Sequence, residues 1–279
     1  KLVTRRSKAF RPAKHNVLVD AREHFTAARV LSTGYLRPRK RRLIYLFISK
    51  ESLDRALDLA NSLFSQIEDA GYRVAFPPLG AFGRPSVDER IGGGRDRGGY
   101  DSWSPDRPTV AYVGAIALGL TIFELSTSIE VTYANGKYVP TSELSPSKRR
   151  LSDHTWTSQR DVPTGELCLR ATSPYVGVTW EKQWREEKQG DLEKQLQDIV
   201  AELESSAPTI AALREEAERQ AEIQRREWAA QEEKWRREAE ERRHAQNVSE
   251  SRAELFQIIE AWGIAKRTEE FFADIEQAI

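Results

Sequence analysis

The stretch DHTWTSQRD sets Asp153, His154 and Asp161 within nine residues of one another. Converging with Glu124 or Glu130 from neighbouring strands, they would form the oxygen-rich shell a divalent cation needs, as acidic residues do in metal-dependent nucleases and related hydrolases. The competing reading is a polar loop whose histidine is simply hydrogen-bonded, and scattered carboxylates of this kind occur in every soluble domain. The four histidines, His15, His24, His154 and His244, share no metal-ligand spacing with Cys168 or with one another, so no zinc site and no cofactor are expected. Cys168 lies within a strand pattern, where a free cysteine behaves as a small buried hydrophobe and not as a nucleophile.

A second set is chemically plainer. PRKRR and its neighbourhood supply Arg37, Arg39, Lys40, Arg41 and Arg42, and residues 1–42 as a whole hold thirteen Lys or Arg against only Asp20 and Glu23. Because the full chain is formally neutral, the remainder is correspondingly acidic. Such asymmetry describes a basic arm or linker that contacts a polyanion, most simply the phosphate backbone of nucleic acid, through charge attraction and counterion release. A solubilising tail is the alternative. PRKRR also matches nuclear-import patterns, which are short and match by chance.

These residues must be positioned by something. Residues 43–76 read as a strand (LIYLFI), a helix with Leu53, Ala56, Leu57, Ala60, Leu63, Phe64 and Ile67 on one face, and a second strand (YRVAF) after Gly71. Ser49 is the expected cap of that helix. A loop rich in Gly and Pro follows, including IGGGRDRGGYD, whose spacing is neither that of a P-loop nor of a dinucleotide fingerprint. VAYVGAIALGLTIF is too short to span a membrane and reads as buried strand. IEVTYANGKYV reads as a hairpin turning at Asn135-Gly136, and TGELCLRATS as another strand. The predicted class is α+β, a small mixed or mostly antiparallel sheet over residues 43–177, with amphipathic covering helices at WEKQWREEK and LEKQLQDIVAELE within 178–207.

Pro208 is expected to open a further helix in its first turn, and no helix breaker follows before Gly263. Acids four residues ahead of arginines, as in Glu222/Arg226 and Glu233/Arg237, let such a helix stand in solvent; some 55 residues at ~1.5 Å each would extend about 80 Å. Ala221, Trp228 and Trp235 recur every seven residues and predict self-association as a homodimer, although polar companion positions leave a regular coiled coil unspecified. Gly263 is expected to break the helix, so that Phe271, Phe272 and Ile275 form a short return helix against Leu255, Phe256, Ile259 and Trp262.

Composition sets the frame. Hydrophobic content of 39%, charge of 31% and a mean hydropathy of −0.62 suit a folded core joined to a solvated helix. One cysteine cannot form an intrachain disulfide, and no signal-like or spanning segment is visible, which favours a cytoplasmic setting without membrane contact. The chain begins at Lys1 and contains no Met, and is read as a fragment of something longer.

SKESLDRALDLANSLFSQIEDAGYRV, WSPDRPTVAYVG, NGKYV, DHTWT, PTGELCL and AERQAEIQRREWAAQEEKWRREAEERR, in this order, resemble a widespread family of largely uncharacterised bacterial proteins, some found near mobile or defence genes. The resemblance spans nearly the whole chain. It implies a helix-turn-helix module upstream, then a basic linker, an α+β domain and a charged helical tail, and it carries no catalytic residues. No helix-turn-helix pattern is visible within these 279 residues, so DNA binding by that module is an expectation about what precedes Lys1. A bacterial setting weakens the nuclear-import reading and favours a DNA-associated or regulatory protein.

Overall fold

The computed structural model describes residues 14–84, 86–91, 103–134, 137–143 and 157–278. It divides into two units, Lys1–Ala217 and Glu218–Ile279.

The first unit is α+β. Its main sheet has seven strands, β3 (Leu46–Phe47), β4 (Arg73–Ala75), β5 (Thr109–Val113), β6 (Ile116–Ala134), β7 (Lys137–Pro140), β8 (Thr157–Thr172) and β9 (Glu181–Arg185), in the order β4-β5-β6-β8-β9. Strand β6 is the spine: β8 runs antiparallel along one edge, while β5, β3 and β7 share the other edge at successive positions. Among the described strands only β3 is parallel to it, and Arg90 adds an isolated parallel bridge at Ser126. Ala134 faces Lys137, so the expected hairpin is present, while the turn residues Asn135 and Gly136 lie outside the described residues.

Alternation along the strands divides the core in two. Leu46, Ile122, Leu167 and Leu169 join the cluster packed under helix α2 (Leu53–Asp69), whose seven predicted face residues are all buried. Phe47, Phe123 and Cys168, one residue out of phase, form a second cluster with Leu31, Tyr35 and Leu125. That second cluster is completed by the N-terminal segment. Residues 14–42 contain helix α1 (Ala21–Thr26) and a small ribbon of β1 (Arg29–Val30) and β2 (Leu36–Arg37), and they bury Val17, Leu18, Phe25, Leu31, Tyr35 and Leu36. The expected arm over 1–42 is therefore, in its described part, a component of the core. The ribbon turns at Gly34, whose φ of +89° and a gap of 3.1 Å between an added Cβ and Pro163 Cδ leave room for glycine alone. Across it Tyr35 stacks on Phe47 with ring centroids 4.1 Å apart.

Three expectations about local structure are corrected. WEKQWREEK is not a helix: Glu181–Arg185 forms the edge strand β9, pairing Trp184 with Leu169 and Arg185 with Cys168. Its inward residues Lys182 and Trp184 both reach Glu202, the indole Nε1–H donating at 2.9 Å. Pro208 does not open a helix. After the short α3 (Asp191–Lys194), helix α4 runs from Leu196 to Ala278 with Pro208 inside it, because Leu196, Ile199, Val200 and Leu203 before the proline and Ala207 and Ile210 beside it are all buried. Tertiary burial on both sides outweighs the missing N–H. Helix α2 is also entered differently: Ser52 precedes it, and Ser49 Oγ accepts the Ser52 N–H at 3.4 Å one turn earlier.

In the second unit Gly263 breaks nothing. The helix passes through it, and nothing lies within 4 Å of where a Cβ would stand. The short return helix is absent. Leu255, Phe256, Ile259, Trp262, Phe271 and Phe272 are exposed by 53–71%, and the Ile275 side chain lies outside the described residues. The expected i to i+4 pairs Glu222–Arg226 and Glu233–Arg237 are made, with Lys234–Glu238 at 3.9 Å beside them. Among the described residues no helix is long and apolar enough to cross a membrane.

Candidate nucleic-acid interface

The acidic constellation does not assemble from the residues described. Glu124 sits at the irregularity where β6 shifts register against β8, and it is buried. One of its oxygens accepts the Ser49 N–H and the other the Gly165 N–H, each at 2.7 Å. It ties the turn before α2 to β8, with both oxygens engaged by backbone. Glu130 points outward on β6 opposite Gln159, and Asp161 stands half-buried opposite Ser128. Asp153 and His154 lie outside the described residues, as does most of the glycine-rich loop. Among the described residues no three His, Cys, Asp or Glu side chains gather as a metal-binding group.

A second buried carboxylate works like Glu124 and carried no sequence signal. Glu186 accepts the Leu167 N–H at 2.7 Å, the Gly190 N–H at 2.9 Å and an Arg55 guanidinium N–H at 2.5 Å. Arg55 also donates to the Gly165 carbonyl at 3.0 Å, so one chain of bonds runs from Glu124 through Gly165 and Arg55 to Glu186. Its chemistry is structural: charged groups hold backbone amides at strand ends. Cys168 is also structural, since burial pushes its thiol up to about 12.

The basic residues, in contrast, are displayed. Arg37, Arg39, Arg41 and Arg42 are exposed and Lys40 half-buried, on a segment pinned between the buried Leu36, Pro38 and Leu43. Register places Arg37 on β2 directly across from Arg29. The segment is fastened from below. The Arg41 carbonyl accepts the Asp106 N–H at 2.9 Å, the Arg41 guanidinium donates to the Ser104 carbonyl at 3.3 Å, and Lys40 lies 3.7 Å from Asp20. Hydrogen bonds from Arg107, then its charge and those of Arg42 and Arg84, hold the Asp106 carboxyl below its usual range. Arg84, which the sequence reading did not single out, donates to Ser104 Oγ at 3.0 Å and so adjoins the Arg41 end of the cluster. No local pattern marks it, because β5 and the preceding loop bring it there.

On the second unit Ala221, Trp228 and Trp235 are solvent-exposed, the two indoles by 70% and 52%. A further stripe was missed. Leu255, Ile258, Trp262 and Ala265 follow a 3-4-3 spacing, the alternation of a coiled-coil seam. Leu255 and Trp262 also suit an internal helical pair, which conceals the period.

None of the family models, curated proteins or solved structures compared with the chain matches it.

Proposed function

We propose that this is a non-enzymatic, DNA-associated or regulatory bacterial protein of the family it resembles, acting in the cytoplasm beside an upstream DNA-binding module. Its first unit contributes electrostatic affinity through Arg37, Arg39, Lys40, Arg41 and Arg42, which contact phosphates and not base edges. The observation that carries this reading is that the basic segment is held on a folded surface: exposed guanidinium groups fixed on buried neighbours lose less conformational entropy on meeting a phosphate than a free tail would. The helix beyond Glu218 pairs with the same helix of a second copy. The 3-4-3 stripe from Leu255 to Ala265 supports that occupant, because a self-matching seam is what identical helices share.

The test of the phosphate reading is fluorescence anisotropy of a labelled duplex over a salt series, with the native chain and a variant carrying Ala at all five basic positions. Each phosphate contact adds about −0.9 to the slope of log K against log salt, so the variant should bind weakly to all sequences alike and lose up to about 4.5 from that slope. Unchanged affinity and slope would return the segment to a solubilising surface.

A further inference from the structure

Strand β9 ends the path of the main sheet and has β8 on one side only. The bonds at its two ends fix which way its backbone faces: the Glu186 N–H donates to the Leu167 carbonyl at 3.0 Å, and the Ser173 N–H to the Trp180 carbonyl at 2.9 Å. Bonded positions alternate along an antiparallel ladder, so Trp180, Lys182, Trp184 and Glu186 turn their N–H and C=O groups to β8 while Glu181, Gln183 and Arg185 turn theirs outward. Among the described residues nothing bonds to those outward backbone groups. The side chains of Glu181, Gln183 and Arg185 are exposed on the face away from helix α4, whereas Lys182 and Trp184 are held on the other face by Glu202.

Open edges pair with other strands, and charged side chains are the usual guard, because like charges directly opposite one another repel. On β9 the charges are arranged in the attractive sense. From this edge we infer that β9 pairs antiparallel with β9 of a second copy, about a two-fold axis through Gln183, and joins two sheets into one. In that register Glu181 of one copy stands opposite Arg185 of the other, and Gln183 stands opposite itself, so every outward backbone group meets an outward one. A slip by one residue would set outward groups against inward ones. A slip by two brings Glu181 opposite either Glu187, a like charge, or Gln183, which leaves Arg185 opposite Thr179 without a charge partner. The contact is isologous and closes at two copies, and it uses residues of the first unit alone, separately from the helix seam beyond Glu218.

Gln183→Cys tests this on the full chain, because a hydrogen-bonded antiparallel pair lying on the axis holds its Cα atoms about 5.5 Å apart, within reach of a disulfide. The native Cys168 is buried and stays out of the reaction. Ser205→Cys, exposed on α4, is the control for encounters through any other surface. Under mild oxidation the chain with Gln183→Cys should form a linked dimer at least about tenfold faster than the control. Adding Glu181→Arg to it sets arginine against Arg185 across the axis, and adding Arg185→Glu sets glutamate against Glu181; each should slow linking by about tenfold or more. An equimolar mixture of those two variants should recover the faster rate and yield the mixed dimer by intact mass, since each supplies the charge the other lacks. Linking at the control rate, linking indifferent to the charge changes, or a mixture no faster than its components would overturn the inference. Near-ultraviolet circular dichroism checks that the charge variants fold. Should either be altered, hydrogen–deuterium exchange of the native chain decides instead: the amides of Glu181, Gln183 and Arg185 should gain protection as protein concentration rises, and exchange independent of concentration would overturn the pairing.

Discussion

Glu186 in the first unit and Glu233 in the second each stand 2.5 Å from an arginine, and the two ion pairs are not equivalent. The Glu186 side chain is fully buried and accepts two backbone N–H groups besides its arginine, while Glu233 is about half exposed and its partner more so. A pair in water gains modest attraction and orders two flexible chains, so it contributes a few tenths of a kcal/mol, about 0.3 to 0.5 on a helix. Inside the first unit the carboxylate cannot be left alone, because water cannot replace what it loses. Contact distance therefore says little about importance, and burial decides it.

The largest effect should come from breaking this contrast at its buried end. Glu186→Ala removes the acceptor of three donors and leaves the partly buried Arg55 without its carboxylate, which should cost about 3 kcal/mol in urea unfolding followed by near-ultraviolet circular dichroism. Glu233→Ala should cost less than about 0.5 kcal/mol by the same measurement. Equal losses in the two variants would mean that the buried network is dispensable.

Legibility from sequence follows the same division. Helix α2 and the burial of Leu192, Leu196, Ile199, Val200 and Leu203 were readable because their periodicity is enforced by one continuous core face. The Trp180/Trp184 spacing fits a helix turn as well as it fits alternate residues of a strand, and only pairing with β8 decides between them. In residues 14–42 the density of charge hid Phe25, Leu31, Tyr35 and Leu36, which are too widely spaced to show a local period and are collected by the sheet. For the candidate interface, the five basic residues were visible as a run. Arg84 was not, since the Ser104 that joins it to Arg41 comes from the loop ahead of β5.

A middle-sized effect tests the exposed end of the comparison. If a second copy covers the stripes of the long helix, the native chain should be dimeric by light scattering at roughly tens of micromolar, where mass action favours association. Changing Trp228 and Trp235 to Glu, and in a separate variant Leu255 and Trp262 to Glu, should each weaken the dimer by at least about a hundredfold, since burying a large apolar side chain is worth ~1.5 to 3 kcal/mol. Both variants should keep the near-ultraviolet signature of the first unit. A native chain that is monomeric at that concentration would make the helix a solvated strut or a docking arm for another protein.

The smallest effect concerns Gly263, where the sequence suggests a break and the helix runs on. A glycine in a helix interior costs about 0.5 to 1 kcal/mol relative to alanine, through backbone entropy alone when its surroundings are open. They are open here, with nothing within 4 Å of the missing Cβ. Position 263 also follows Trp262 by one residue, about 100° around the helix and off the 3-4-3 seam, so a methyl group there would point away from a second copy. Gly263→Ala should therefore raise the stability of the helical unit by about 0.5 to 1 kcal/mol in the 222 nm melting curve and leave the light-scattering mass unchanged. Loss of association in this variant would place the residue at a close helix approach, where glycine is needed for contact. A lower melting midpoint would mean that the glycine is a working bend, and that the second unit is more than a solvated rod of paired charges.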